Sequence, residues 1–452
     1  MSLDPNAPRF RVRPPANWVN DPNGPFRWRD RYHLFYQYNP AAPVHADIHW
    51  GHASSRDLAR WEHHPIALTP TPGGPDEAGC WSGCVVDDDG VPTAVYTGID
   101  RDHTGLGAIC LARAADPDDP ALTEWKPLPT PVVSGPPAGL DVVMFRDPFV
   151  FRHAGRRWAL VGAGHADGTP SVLLYDCDDL ADWRFAGVLL DGNDPVAMDA
   201  FGDKAVGWEC PQLLVTPGGD WVLVVSLWDG DPWTTGYLTG ALEPAADGSP
   251  AFRPRVGGRL DHGRDFYAPA VLQEPDRALM WGWSWESREP GGAEQSGWAG
   301  VLTAPRVVDV HADGTLRVAP APELDLLRAP EPFVTGPGEG TRLPDAYDLT
   351  VTARTVTTVR LGEGLTLRVD PAEGSLTVRR TGHPEPVTVP LPHDGEPTVR
   401  VLVDGSLYEV FAGDRGMVTE RVYRGPGDAP ELAVTGEGSA VRGWELVPAA
   451  LG

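Results

Sequence analysis

RDPFVFRHAGRRWALVGAG, from Arg146 to Gly164, decides how the rest of the chain is read. A short polar motif leads into an apolar strand, a Gly-containing turn and a second apolar strand. The same order recurs in DPNGPFRWRDRYHLFYQYNP from Asp21, WSGCVVDDDGVPTAVYTG from Trp81, ECPQLLVTPGGDWVLVVSLW from Glu209 and FYAPAVLQEPDRALMWGWSW from Phe266. Successive units start roughly 60 residues apart, a little longer than the kelch spacing of about 50. Long helical patterns are scarce, and short apolar runs broken by Gly, Pro and Asp predominate, which predicts an all-β chain. Five such units around an axis predict a five-bladed β-propeller.

In that geometry the first strand of each blade lines a central channel, and the motifs opening the units converge at one end of it. Asp21 opens the first unit, Asp147 the third and Glu209 the fourth, so three carboxylates distant in sequence face one funnel. Each has a plainer reading. Asn20, Asp21, Pro22, Asn23 and Gly24 form a strong turn signal, Asp147 before Pro148 could shape another turn, and Glu209 alone could be structural. Equivalent places in their units favour a shared site.

After about Pro320 the texture changes. Residues 1–320 are read as the propeller, the Pro- and Gly-rich 321–345 as a linker, and 346–452, where alternation resumes, as a β-sandwich. Asp404 and Gly405 read there as a hairpin turn. The sandwich carries no cluster of His, Cys or paired acids, so no catalytic group is expected in it.

The 452 residues carry a formal net charge of −26, which argues against nucleic acid and anionic membranes as partners. A small neutral sugar suits an acidic funnel better. Oligomeric state is not readable. Lys126 and Lys204 are the only lysines. No window reaches the roughly 18 unbroken apolar residues of a membrane span. The opening MSLDPNAPRF lacks the basic and apolar regions of a secretory signal, so the expected location is cytoplasmic. Five cysteines, Cys80, Cys84, Cys110, Cys177 and Cys210, suggest no disulfide framework. Cys80 and Cys84 lack the second half of a zinc site. HWGH (His49–His52) reads as packing, and Asp87–Gly90 as a hairpin tip rather than a calcium loop.

Glycosidic cleavage needs one carboxylate as nucleophile or base and one carboxylic acid for the leaving oxygen. Trp208, Cys210, Pro211, Leu213 and Leu214 beside Glu209 predict a raised pKa, as an acid requires. Amide donors in the turn around Asp21 predict a lowered one, as a nucleophile requires. Arg146 beside Asp147 is expected to keep that acid ionised, suited to bidentate hydrogen bonds with sugar hydroxyls.

WVNDPNG (Trp18–Gly24), FRDP (Phe145–Pro148) and WECP (Trp208–Pro211) resemble the three signature motifs of glycoside hydrolase family 32, the β-fructofuranosidases. FYQYNP (Phe35–Pro40), WSG (Trp81–Gly83), DFYAP (Asp265–Pro269), GWAG (Gly297–Gly300) and VLVDGSLYEVF (Val401–Phe411) resemble further family stretches. The resemblance spans nearly the whole chain and implies a five-bladed propeller followed by a sandwich, with no metal or organic cofactor. It implies a retaining hydrolase that releases fructose from sucrose or fructo-oligosaccharides. Asp21 would be the nucleophile, Glu209 the general acid/base and Asp147 the transition-state stabiliser. Asn20, Gln37, Ser82, Arg146 and Tyr267 would line the fructose pocket, with Trp50 and Trp81 as apolar walls. A fructosyltransferase shares this chemistry, and a sugar-binding propeller without catalysis is the alternative from another class.

The chain also departs from the family pattern. His45, Ala46 and Asp47 stand where Trp-Gly-Asn is frequent, Gln212 where Asp is usual, and Ala270 where Gln is common. These positions are expected to bear on the outer subsite that holds the leaving group.

Overall fold

The computed structural model describes residues 4–101, 105–392, 396–425 and 427–448. Strands dominate; among the described residues the helices are two short α-helices, Pro195–Phe201 and Gly292–Ser296, and one 3₁₀ turn, Pro322–Leu327. No helix among them is long and apolar enough to cross a membrane.

Each sequence unit is the first hairpin of a sheet. The hairpins are Asn17–Trp28 with Arg31–Asn39, Gly79–Asp88 with Val91–Ile99, Val142–His153 with Arg156–His165, Gly207–Val215 with Trp221–Trp228, and Tyr267–Gln273 with Ala278–Ser284. Further strands extend each sheet outward. The middle strands are buried on both faces; Trp158–Gly164 and Val222–Leu227 are buried throughout. Sheets stacked face to face demand this, which is why these segments read as unbroken apolar runs rather than alternating ones. The five first strands touch one another in cyclic order, giving an N-terminal propeller. Trp298 and Ala299 close the ring by pairing in parallel with Asn17 and Trp18.

The Asn20–Gly24 run is not a turn. It lies inside the Asn17–Trp28 strand, which carries a register shift between Val19 and Pro22. The other four inner strands are interrupted at equivalent places: between Trp81 and Gly83, around Asp147–Pro148, between Glu209 and Gln212, and between Tyr267 and Ala270. Such bulges re-aim side chains at the cost of ladder hydrogen bonds. Asp147, Cys210 and Ala268 accordingly have φ of 64°, 46° and 46°, backbone strain of about 1–3 kcal/mol each. Gly24, at φ 44°, sits where a Cβ would lie 2.6 Å from Val85 Cγ2. Only glycine lets the first two inner strands approach so closely. Turn-forming residues thus serve bulges rather than reversals.

Two six-stranded sheets make the C-terminal sandwich, packed over Leu349, Val351, Val359, Leu367, Val401 and Val434. Phe333–Thr335 and Gly340–Arg342, within the stretch read as a linker, pair into these sheets. The Asp404 hairpin is present, with Asp404 opposite Leu407, and Asp89–Gly90 forms the other expected turn at φ 51° and 88°. All five cysteines are free and buried. His52 of HWGH stacks on Phe35 at 4.3 Å.

The two parts share a core: Leu402, Phe411 and Met417 of the sandwich join the main propeller cluster. Within that contact Arg306 pairs with Asp261 at 2.9 Å and Glu409 at 3.1 Å, and Arg11 meets Glu409 at 2.9 Å, all buried. The Arg9 and Phe10 amides donate to Asp404 at 2.8 and 2.6 Å.

Candidate active site

The interruptions of the inner strands bring Asp21, Asp147 and Glu209 together at one end of the ring. Asp21 Oδ2 accepts from Ser82 Oγ at 2.6 Å and Gln37 Nε2 at 3.2 Å, and Oδ1 accepts from Asn20 Nδ2 at 3.2 Å. Gln37 also donates to Ser82 Oγ at 2.6 Å. Asp147 Oδ2 accepts the Cys210 amide at 3.0 Å, and its own amide donates to Thr97 Oγ1 at 2.8 Å. Glu209 Oε1 is gripped by Arg146 through Nε at 2.9 Å and Nη2 at 2.8 Å, while Oε2 accepts from Tyr267 Oη at 2.6 Å. Cys210 Sγ lies 3.6 Å from both Asp21 Oδ2 and Asp147 Oδ2. One sulfur therefore bridges two of the acids, and its backbone neighbour is the third.

Two electrostatic expectations are overturned. Asp21 receives side-chain donors rather than turn amides, and burial outweighs them. Its pKa is pushed up to about 6 by burial; the Ser82 hydrogen bond opposes this and the Glu209 charge adds to it. Arg146 does not hold Asp147 but forks onto Glu209, so Asp147 is pushed up to about 7 by burial, then by the Glu209 charge, with Arg146 opposing. Glu209 in turn is not wrapped in apolar groups: its carboxylate faces a guanidinium and a phenol. Chain neighbours were a poor guide because the bulges re-aim side chains, so that Arg146 reaches past Asp147 to Glu209, 63 positions away.

Asn20, Gln37, Ser82, Arg146 and Tyr267 each touch at least one of the three acids. Trp81 is partly exposed, with the Arg146 guanidinium over its ring at 5.7 Å. Trp50 is not a wall. It is fully buried in the core and donates its indole N–H to the Trp81 carbonyl at 3.0 Å, bracing that strand from behind. Trp18, Trp228, Trp283, Trp285 and Cys210 were not anticipated as site residues. The Arg146 guanidinium also lies over the Trp228 ring, at 5.3 Å, and the remainder pack around Tyr267. The signal was in the sequence: Trp18 and Cys210 lie inside quoted motifs, and Trp283 and Trp285 end the fifth unit.

The unusual positions separate in space. His45 sets its ring edge-on to Trp18 at 6.0 Å and Trp81 at 5.6 Å. His45 is itself exposed. Asp47 is exposed. Gln212 is buried and accepts the Val271 amide at 3.0 Å, tying the fourth inner strand to the fifth. It is not at the outer rim. Ala270 is buried opposite Trp281.

Ser82 offers a test of the electrostatics. Its hydrogen bond favours ionised Asp21, so Ser82→Ala removes the chief opposition to burial. The acidic limb of kcat/KM, which reports the free enzyme, is expected to move upward by about one pH unit. A pH–rate profile of the variant checks this.

Comparison with known proteins follows the same lines. The family described as "Glycosyl hydrolases family 32 N-terminal domain" matches residues 12–320, and its C-terminal counterpart matches 347–445. A raffinose invertase of Escherichia coli is 35% identical over 92% of this chain and 89% of its own length. A sucrose-6-phosphate hydrolase of Zymomonas mobilis is 31% identical over 90% and 84%. Among solved structures, a Bombyx mori family 32 β-fructofuranosidase mutant in complex with sucrose superposes with a TM-score of 0.84 at 25% identity, covering 98% of this chain and 95% of that one.

Proposed function

The chain belongs to glycosyl hydrolase family 32 and is a retaining β-fructofuranosidase, and from that premise we propose how its residues divide the work. The observation carrying the assignment is the convergence of three carboxylates from three inner strands, two of them bridged by the Cys210 sulfur. Asp21, with a pKa of about 6, is ionised at neutral pH and attacks the anomeric carbon of the fructosyl unit. Glu209 protonates the departing glycosidic oxygen, then takes a proton from the water that cleaves the fructosyl-enzyme. Two Arg146 nitrogens on Oε1 and the Tyr267 hydroxyl on Oε2 fix the direction of its carboxylate. Asp147, not engaged by Arg146, is left to bind fructosyl hydroxyls. Trp81 forms the apolar wall, and Asn20, Gln37 and Ser82 position Asp21.

The substrate is a β-fructofuranoside, sucrose or a short fructo-oligosaccharide. The cyclic contact of the five inner strands supports five blades, with the propeller over 1–320 and the sandwich over 346–452. A fructosyltransferase would use the same acids with a sugar in place of water.

Incubation with sucrose, kestose, inulin and sucrose 6-phosphate tests this reading. Free fructose is expected as the main product, and proton NMR before mutarotation should show β-fructofuranose first. Initial α-fructofuranose would exclude the double displacement, and longer fructans would favour the transferase.

His45 is proposed to act at the outer subsite. His45→Trp should change the ratio of kcat/KM between sucrose and kestose several-fold, because it alters a ring against both Trp18 and Trp81. Gln212→Asn should leave that ratio unchanged. Steady-state kinetics of the two variants on both sugars checks the separation.

A further inference from the structure

A row of aromatic rings crosses the site. Trp18 meets Trp283 at 5.7 Å, Trp283 meets Trp285 at 6.0 Å, and Trp285 meets Tyr267 at 5.9 Å. Both ends reach the chemistry. The Trp18 indole donates to Asn20 Oδ1 at 2.8 Å, and Asn20 donates to Asp21. Tyr267 donates to Glu209. Each contact is edge-to-face or tilted, so the position of one ring constrains the next.

The row is anchored at Asp265, which is buried two residues before Tyr267. Its Oδ1 accepts the Trp285 indole N–H at 3.0 Å and the Ser287 hydroxyl. Its Oδ2 accepts Arg380 Nη1 at 2.5 Å and the Arg421 amide at 2.6 Å. Arg380 and Arg421 both belong to the sandwich. The Arg421 guanidinium also donates to the carbonyls of Ser284 and Trp285 at 3.2 and 3.1 Å, so the sandwich holds Trp285 by its backbone and its side chain.

A docking role does not account for this arrangement. Docking is served separately by Asp261, which binds Arg306, the Thr419 amide and the Thr419 hydroxyl. None of those contacts reaches an aromatic ring of the row. Of the four partners of Asp265, Trp285 belongs to the row and Arg421 also holds the Trp285 carbonyl.

We infer that the sandwich is a positioning element of the active site, acting from Arg380 and Arg421 through Asp265 and Trp285 on the Tyr267–Glu209 hydrogen bond. Asp265 is a positioning residue: it touches no reacting atom but sets the direction of the group that protonates the leaving oxygen. The inference rests on the general-acid role proposed above for Glu209.

Leaving-group dependence separates positioning from structural damage. A misdirected acid penalises sucrose, whose glucosyl oxygen needs a proton, and spares an aryl β-fructofuranoside, whose phenolate leaves unaided. A partly unfolded enzyme loses both activities by one factor. Displacements near 1 Å cost about 10²-fold. Asp265→Asn and Arg380→Met are therefore expected to lower kcat/KM for sucrose by about 30- to 100-fold and for fructosylation by the aryl substrate by less than about 3-fold. Arg380→Lys should recover most of the sucrose activity. Trp285→Phe keeps one aromatic ring in the row and removes the pyrrole half of the indole with the N–H held by Asp265, so it should show the same split more weakly. If Asp265→Asn does not fold, Trp285→Phe, which leaves the Arg380 and Arg421 contacts of Asp265 in place, decides.

Equal losses on the two substrates, or no loss on sucrose, would overturn the inference. Glu209→Ala is measured alongside. If Glu209→Ala shows the split and Asp265→Asn does not, only the inference fails. If Glu209→Ala lacks the split, the acid assignment fails and the inference falls with it.

Discussion

Asp21→Asn is expected to fold and to lose about 10⁴-fold or more of its activity on sucrose. The amide fits the same space and can still accept from Ser82, but it cannot form the fructosyl ester. The variant should also be more stable at neutral pH. In the native protein Asp21 holds its proton to about pH 6, whereas an unfolded aspartate releases it near 3.9. Between those values the native state binds more protons, so its stability falls as pH rises through that window and stays lower above it. Asparagine carries no such penalty. The gain should reach about 2–3 kcal/mol at most at pH 7–8 and vanish near pH 4. Thermal melts at both pH values check the stability, and sucrose turnover checks the activity. Near-normal turnover would remove Asp21 from the nucleophile's role.

Glu209→Ala is expected to nearly abolish sucrose cleavage while sparing the first step on an aryl β-fructofuranoside. The fructosyl-enzyme would then persist, because no base activates water. A burst of phenolate, about one equivalent per enzyme, should precede slow turnover. Azide needs no deprotonation, so it should restore turnover and yield β-fructosyl azide. Asp21→Ala should give neither burst nor rescue. Arg146 and Tyr267 lose their shared partner in Glu209→Ala, so a melt should accompany the kinetics. Equal losses on both substrates without an azide effect would place the acid elsewhere.

The strands and the acids were legible for different reasons. Strand pairs such as Arg146–Gly164 declare themselves through a local period, and the order of five such units carries the propeller. Asp21, Asp147 and Glu209 stood at equivalent places in their units, and the resemblance to family 32 supplied their expected roles. What could not be read was non-local. No spacing tells that Arg146 forks onto Glu209, 63 positions away, rather than onto its neighbour Asp147. Nothing in HWGH distinguishes a buried Trp50 from an exposed one, since both faces of that strand are covered. The Asn20–Gly24 run misled because bulges and turns draw on the same residues. Asp265 went unremarked as a functional residue because its partners, Trp285, Arg380 and Arg421, meet only in three dimensions.

The N-terminal segment is fastened at both of its ends to partners made much later. Asn17 and Trp18 pair with Trp298 and Ala299, and Phe10 binds Asp404 across 394 positions. A ribosome adding about 5–20 residues per second needs roughly 20–80 s to deliver those partners. The strand carrying Asp21 can pair with Arg31–Asn39 at once, but its ring seam and its latch stay open through synthesis, and their closure is among the last folding events. Such long-range closure makes folding slow. It also makes escape slow, because release of that strand requires the ring seam and the distant latch to open together. Heat inactivation of this enzyme should accordingly follow an unfolding rate, with a midpoint that depends on how fast the sample is warmed.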